Sequence, residues 1–340
     1  MTGKKQRWFI AVPPNGAARF VGQEIVKAFL QLAESNSIKT FDCKIYLKAF
    51  SDLLKNKDDT MIVDLLNQSL IVQCLDFQAT HVLVLALCPV TLFTLNLFEK
   101  MEIVTAHWFY EDFRRANYWK EVVGGYRYFF AIQKGPIIDE CGKYGSHFAF
   151  LPTAAPLRDG GGRPSAPFSA EVAFIGIPSD YRVNFLEFLV SRGIRLAIAG
   201  QGWDRYGGML SPFIVNNQWT NPEQASDILS TAYIGINLSV IDPGPDRENT
   251  HVSPRVFDVL LAGRALLTED VALAREVLIG CAYHTFKNQE DAFDRVRGIL
   301  AHWDNETVRA AKNAEIIRQC HGYRQRVERI ISLTCDDAVS

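Results

Sequence analysis

Short apolar runs alternate with amphipathic stretches along this chain, and the alternation restarts once, after a break rich in glycine and proline. The break is Leu157–Ser169, LRDGGGRPSAPFS, with three glycines and two prolines in thirteen residues. Parallel strands need a crossover between them, usually a helix, so a run of strand, helix and strand is the mark of parallel α/β structure. Two such series predict two doubly wound domains of Rossmann type. The pattern places them at 1–156 and from 170 on, with 157–169 as linker.

In the first series the strands read as Trp8–Val12, Thr40–Leu47, His81–Leu87, Ile103–Trp108, Tyr126–Gln133 and Phe148–Leu151. Helical spacing covers Val21–Leu32 and Ile62–Phe77. In the second series the strands are Glu171–Ile175, Arg195–Ala199, Tyr233–Leu238 and Ala265–Thr268. Its helices are Asp180–Ser191, Asn221–Thr231, Pro254–Leu261, Gln289–His302 and Asn305–Leu333.

Composition removes several classes. The 340 residues are 48% apolar and carry a net charge of −2 without a Lys/Arg block, so nucleic acid is not expected as a partner. Seven cysteines, an odd number with no C-x-x-C pair, fit a reducing compartment, and a cytoplasmic protein is expected. The apolar run at the N-terminus stops at Pro13-Pro14 and is too short for a signal peptide. His81–Phe98 is long enough for a membrane helix, but Pro89 divides it, so it reads as strand, turn and helix start. No transmembrane segment is expected. The histidines are scattered, and no metal site or cofactor is expected. No D-x-D triplet, H-E-x-x-H, G-x-S-x-G or Walker motif occurs, and no G-x-G-x-x-G follows the first strand.

The strongest local signal is Thr250–Gly263. Ser253 is a good N-cap, Pro254 a good first helical residue and Gly263 a natural stop. Such a helix start attracts phosphate through its free amides. Arg255 in the first turn adds a bidentate donor for phosphate, and Asp258 can accept the hydroxyls of a ribose. An ordinary capped helix with both side chains solvated satisfies the same residues. Gly176 ends a strand where backbone can approach a phosphate closely, and Arg182 follows it. Trp219 can stack on a base or simply pack. His107, Glu111 and Asp112 leave a core strand and are candidate acid–base groups, with Asp112 favoured as general base.

From Ala173 to Leu333 the chain resembles the C-terminal domain of GT-B glycosyltransferases, and is most similar to their CgeB-like (spore-maturation-protein-like) branch. The resemblance rests on Phe174-Ile175-Gly176 with Tyr181-Arg182, on Ala199-Gly200-Gln201-Gly202-Trp203, and on Val252-Ser253-Pro254-Arg255-Val256-Phe257-Asp258 through Ala262-Gly263. It continues through Leu266–Asp270, Asn288–Asp291 and His321–Val327. It implies an α/β GT-B fold, two Rossmann-like domains facing a central cleft. The nucleotide-sugar domain would be 170–322, and a C-terminal helix, 323–340, would cross back to the first domain. It implies transfer of a sugar from a nucleoside-diphosphate sugar to a hydroxyl of a glycan or protein, without metal. Gly176, Arg182, Gly200, Trp219, Ser253, Arg255 and Asp258 would hold the donor. Relatives of retaining type often carry a glutamate eight residues before the position of Asp258. Thr250 stands there, which keeps open a non-catalytic nucleotide- or glycan-binding module on the same scaffold. A nucleotide-sugar epimerase is a further alternative.

Overall fold

The structure, a computed structural model, describes residues 6–32, 37–55, 58–156, 168–206, 208–244 and 250–335. The expected linker, 157–169, lies outside these residues except for Phe168 and Ser169. The chain divides into two compact units, one holding the residues up to Thr153 and from Tyr323 on, the other Ala154–Gly322.

The first unit is built in the order β1 (Trp8–Val12), α1 (Gly16–Leu32), β2 (Ile38–Asp42), α2 (Cys43–Leu54), α3 (Asp59–Asp76), β3 (His81–Leu85), α4 (Leu92–Lys100), β4 (Val104–Phe109), α5 (Trp119–Val122), β5 (Tyr128–Ala131), α6 (Pro136–Tyr144) and β6 (His147–Phe150). Its parallel sheet has the order β2-β1-β3-β4-β5-β6. Every residue of β1, β3, β4 and β5 is buried, as parallel strands covered on both faces must be.

The second unit follows as β7 (Ala170–Ile175), α7 (Asp180–Ser191), β8 (Leu196–Ala199), β9 (Ile214–Asn216), α8 (Pro222–Ser230), β10 (Ala232–Asn237), α9 (Arg255–Leu261), β11 (Ala265–Glu269), α10 (Ala272–Val277), β12 (His284–Phe286), α11 (Gln289–Ala301) and α12 (Trp303–Cys320). The sheet order is β12-β11-β10-β7-β8-β9, again parallel. The order reverses between β7 and β10. In open sheets of this kind the ligand crevice lies at the carboxyl ends of the strands at that reversal. A last helix, α13 (Tyr323–Thr334), belongs to the first unit and packs on α1.

Two expected elements are corrected. The strand anticipated over Thr40–Leu47 stops at Asp42 and becomes α2. The Asp42 carboxylate accepts the Lys44 N–H, which caps a helix, and holds Arg19 through two 2.6 Å bonds. The continuous helix anticipated over Asn305–Leu333 breaks at His321-Gly322. There the Ala155 N–H donates to His321 O at 2.7 Å, and Ala155 bridges to Gly322. The run from His81 to Phe98 is β3, a turn and α4, and among the described residues no helix is long and apolar enough to cross a membrane.

Candidate functional site

The carboxyl ends of β7 and β8 carry two of the anticipated residues of the second unit, Gly176 and Gly200, while Arg182 lies on α7, Trp219 after β9, and Ser253, Arg255 and Asp258 at the start of α9. Gly176, just past β7, donates its N–H to Ala199 O, and its carbonyl accepts the Trp203 indole N–H at 2.8 Å. Gly200 has φ +140°, and a Cβ there would lie 2.1 Å from Gly176 O. The two glycines and Trp203 therefore lock the tips of β7 and β8 together. This accounts physically for the Gly200-Gln201-Gly202-Trp203 stretch, since only a residue without a side chain fits at Gly200.

Arg182 comes from the first turn of α7, which Ser179 caps by accepting the Arg182 N–H. Its side chain does not reach out as the sequence suggested. It is 8% exposed, and its guanidinium donates to Leu238 O at 2.6 Å, to Ser239 O at 3.1 Å and to Ile177 O at 2.8 Å. Arg182 thus ties the loop after β7 to the loop after β10, across the strand reversal. The charge that the sequence assigned to a ligand is met by three backbone carbonyls.

Glu269, the last residue of β11, was not singled out in the sequence. Buried to 1% exposure, it accepts the Ser239 N–H on both oxygens, at 3.0 and 2.9 Å. The Ser239 hydroxyl at 2.6 Å and the Tyr181 hydroxyl at 3.0 Å complete its shell. Burial pushes its pKa upward, and these donors, with Arg182 nearby, pull the other way. Glu269 fixes the Ser239 end of the crevice, and an acidic residue ending an apolar strand was the signal for it.

Helix α9 starts on the same edge of the sheet, since it follows β10. It begins at Arg255. Pro254 precedes it without a capping side chain, and Ser253 Oγ accepts the Arg255 N–H at 3.3 Å. Arg255 Nη1 meets Asp258 Oδ2 at 2.7 Å, with side-chain exposures of 27% and 14%. Desolvation raises the Asp258 pKa, and Arg255 lowers it by less. Thr250 is fully buried. Trp219, in the loop after β9, is 44% exposed.

In the first unit, His107 is 1% exposed, and its Nδ1–H donates to Val84 O at 2.8 Å. Burial lowers its pKa to about 3, so the ring is neutral and Nε2 is left as an acceptor facing the Tyr118 hydroxyl at 3.4 Å. Tyr118 in turn accepts the Leu87 N–H at 2.8 Å, where Leu87 has a φ of +64°. This chain shapes the loop after β3 and takes His107 out of reach of a ligand. Asp112 is also buried. Its oxygens accept from Arg114 Nη2 at 2.6 Å, from the Arg114 N–H at 2.9 Å and from Gln133 Nε2 at 3.3 Å. Its lone pairs are thereby engaged, which weakens the expectation that it takes a proton. Glu111 is half-buried.

Comparison with known proteins places this architecture. Residues 182–332 match a family model described as glycosyl transferase-like. A glycosyltransferase from Rickettsia africae superposes with a TM-score of 0.69 at 9% identity, covering 99% of this chain and 100% of that one. Sucrose-phosphate synthase from Thermosynechococcus elongatus gives 0.65 at 8% identity, covering 97% and 98%. Anabaena HepE, solved in complex with UDP and glucose, gives 0.63 at 9% identity, covering 98% and 100%. No curated protein matches the sequence. The fold is α/β of GT-B type, with two Rossmann-like units each built on a six-stranded parallel sheet.

Proposed function

We propose that this protein is a glycosyltransferase whose second unit binds a nucleoside-diphosphate sugar. The observation that carries the reading is the Arg255–Asp258 pair at the first turn of α9, on the sheet edge where the strand order reverses. A partly exposed guanidinium can turn to a diphosphate, and the carboxylate it leaves can accept ribose hydroxyls. The family match over 182–332 and the UDP bound in the similar HepE structure agree with it.

In the reaction the acceptor hydroxyl attacks the anomeric carbon, the bond from that carbon to the diphosphate oxygen breaks, and the nucleoside diphosphate leaves. Arg255 stabilises the charge that develops on the leaving group, in place of the metal that a D-x-D triplet would hold. The hydroxyl proton goes to a general base. Among the acid–base candidates of the first unit, His107, Glu111 and Asp112, Glu111 is the least buried. The CgeB-like branch is the subfamily that the sequence motifs favour.

Thr250, standing where relatives of retaining type often carry a glutamate, supports one alternative, a nucleotide- or glycan-binding module without turnover. Thermal unfolding with UDP, GDP, ADP and their nucleosides, in EDTA, tests the first step, because a ligand bound only to the folded state raises its stability. A midpoint raised by one diphosphate and not by its nucleoside supports the site. No rise with any of them rejects it. Consumption of the matching nucleotide sugar then separates transferase from module.

A further inference from the structure

The amino-terminal edge of the first unit's sheet, opposite the strand tips that carry Leu87 and Glu111, contains a groove of about 700 Å³. It runs past the starts of β3, β4, β5 and β6. Its size falls within the range of ligand pockets, roughly 300–1,000 Å³. Nothing in the transfer reading uses it.

We propose that this groove binds a neutral oligosaccharide. Tyr144, at the end of α6, is 58% exposed and makes no ring pair among the described residues. Its ring lies close against Gly124, where a Cβ would come within 2.9 Å of Tyr144 Cδ1. An exposed aromatic ring backed on one side is a platform for the C–H face of a sugar ring. Around it stand Glu99, Glu102 and His147, whose side chains have no hydrogen-bond or ion-pair partner among the described residues, although the His147 ring lies 5.3 Å from that of Tyr128. Glu102 sits at φ +59°, where glycine is favoured. Carboxylates accept pairs of hydroxyl donors, and an imidazole offers one donor and one acceptor, which suits a polyol. The lining holds the carboxylates of Glu99 and Glu102 and the guanidinium of Arg127, so it is close to charge balance and favours neither a polyanion nor a polycation.

The test is calorimetric titration of the full chain with maltohexaose, cellohexaose and chitohexaose. At least one should bind with a Kd tighter than about 1 mM. Tyr144→Ala should weaken it about tenfold, and Glu102→Gln about threefold to tenfold. Gly124→Leu, with unchanged circular dichroism, should abolish binding by displacing the ring. The proposal is overturned if no hexasaccharide binds, if binding is indifferent to Tyr144→Ala and Glu102→Gln, or if spermidine binds and loses affinity in Glu102→Gln, which would mark a cation site.

Discussion

Arg255 and Asp258 are each other's partners: Nη1 of one lies 2.7 Å from Oδ2 of the other, one helical turn apart. The pair is mostly buried, so neither side chain can be removed without leaving the other partly desolvated and unpaired. Arg255→Ala should cost about 1–3 kcal/mol of stability, and the double variant Arg255→Ala/Asp258→Ala should cost less than the sum of the singles. Urea unfolding of the four proteins measures the coupling, and strictly additive losses would show that the pair is not coupled.

The same pair predicts a contrast in ligand binding. Arg255→Ala should weaken the diphosphate by about 1.5–3 kcal/mol, roughly ten- to a hundredfold, and leave the nucleoside nearly unchanged. Asp258→Ala should weaken both, because both carry the ribose. Calorimetry with a nucleoside and its diphosphate checks this, and equal losses for Arg255→Ala would remove Arg255 from the phosphates.

His107 makes stability depend on pH. Burial holds its folded-state pKa at about 3 against an ordinary 6.5, so the unfolded chain binds this proton first as pH falls. The stability it contributes is complete above pH 6.5 and is lost as pH falls toward 3, by about 1.4 kcal/mol per pH unit. In His107→Asn that slope should vanish. The difference between wild type and variant should therefore narrow between pH 6 and pH 4, and a difference constant with pH would mean that His107 is not the titrating group.

Glu269 should be a structural keystone of the crevice. A glutamine there presents an amide NH₂ toward donors, so Glu269→Gln should destabilise by about 1–3 kcal/mol, and Tyr181→Phe by about 0.5–1.5 kcal/mol. If Glu269→Gln is as stable as wild type, the Ser239 contacts are not what holds the loop after β10.

Gly200→Ala should be the harshest single-methyl change in the second unit. The new Cβ meets Gly176 O at 2.1 Å on a backbone with φ +140°, and a loss of more than about 2 kcal/mol is expected. A variant with an unaltered unfolding midpoint would contradict the locking of β7 to β8.

Much of the fold was legible because its signals are local. Apolar runs at strand length gave β1, β3 and β7, and Ser179-Asp180 at the head of a periodic stretch gave α7 to the residue. Arg255 and Asp258 were legible as helix neighbours, since their spacing alone puts them on one face. The end of β2 was not legible, because Thr40–Leu47 alternates well enough for a strand, and only the Asp42 carboxylate, shared between Arg19 and the Lys44 amide, decides for a helix.

What the sequence by itself determined was the series of strands and helices, and the glycines at their tips. What only the tertiary structure decided was where the charges go. Arg182 stands 56 and 57 residues from the carbonyls of Leu238 and Ser239, and Tyr181 stands 88 from Glu269. Those contacts exist because β10 pairs with β7 on one side and with β11 on the other, a strand order that no local spacing records. A buried charge takes whatever partner that order brings to it, since leaving it unpaired costs several kcal/mol, and Arg182 and Glu269 therefore became parts of the scaffold.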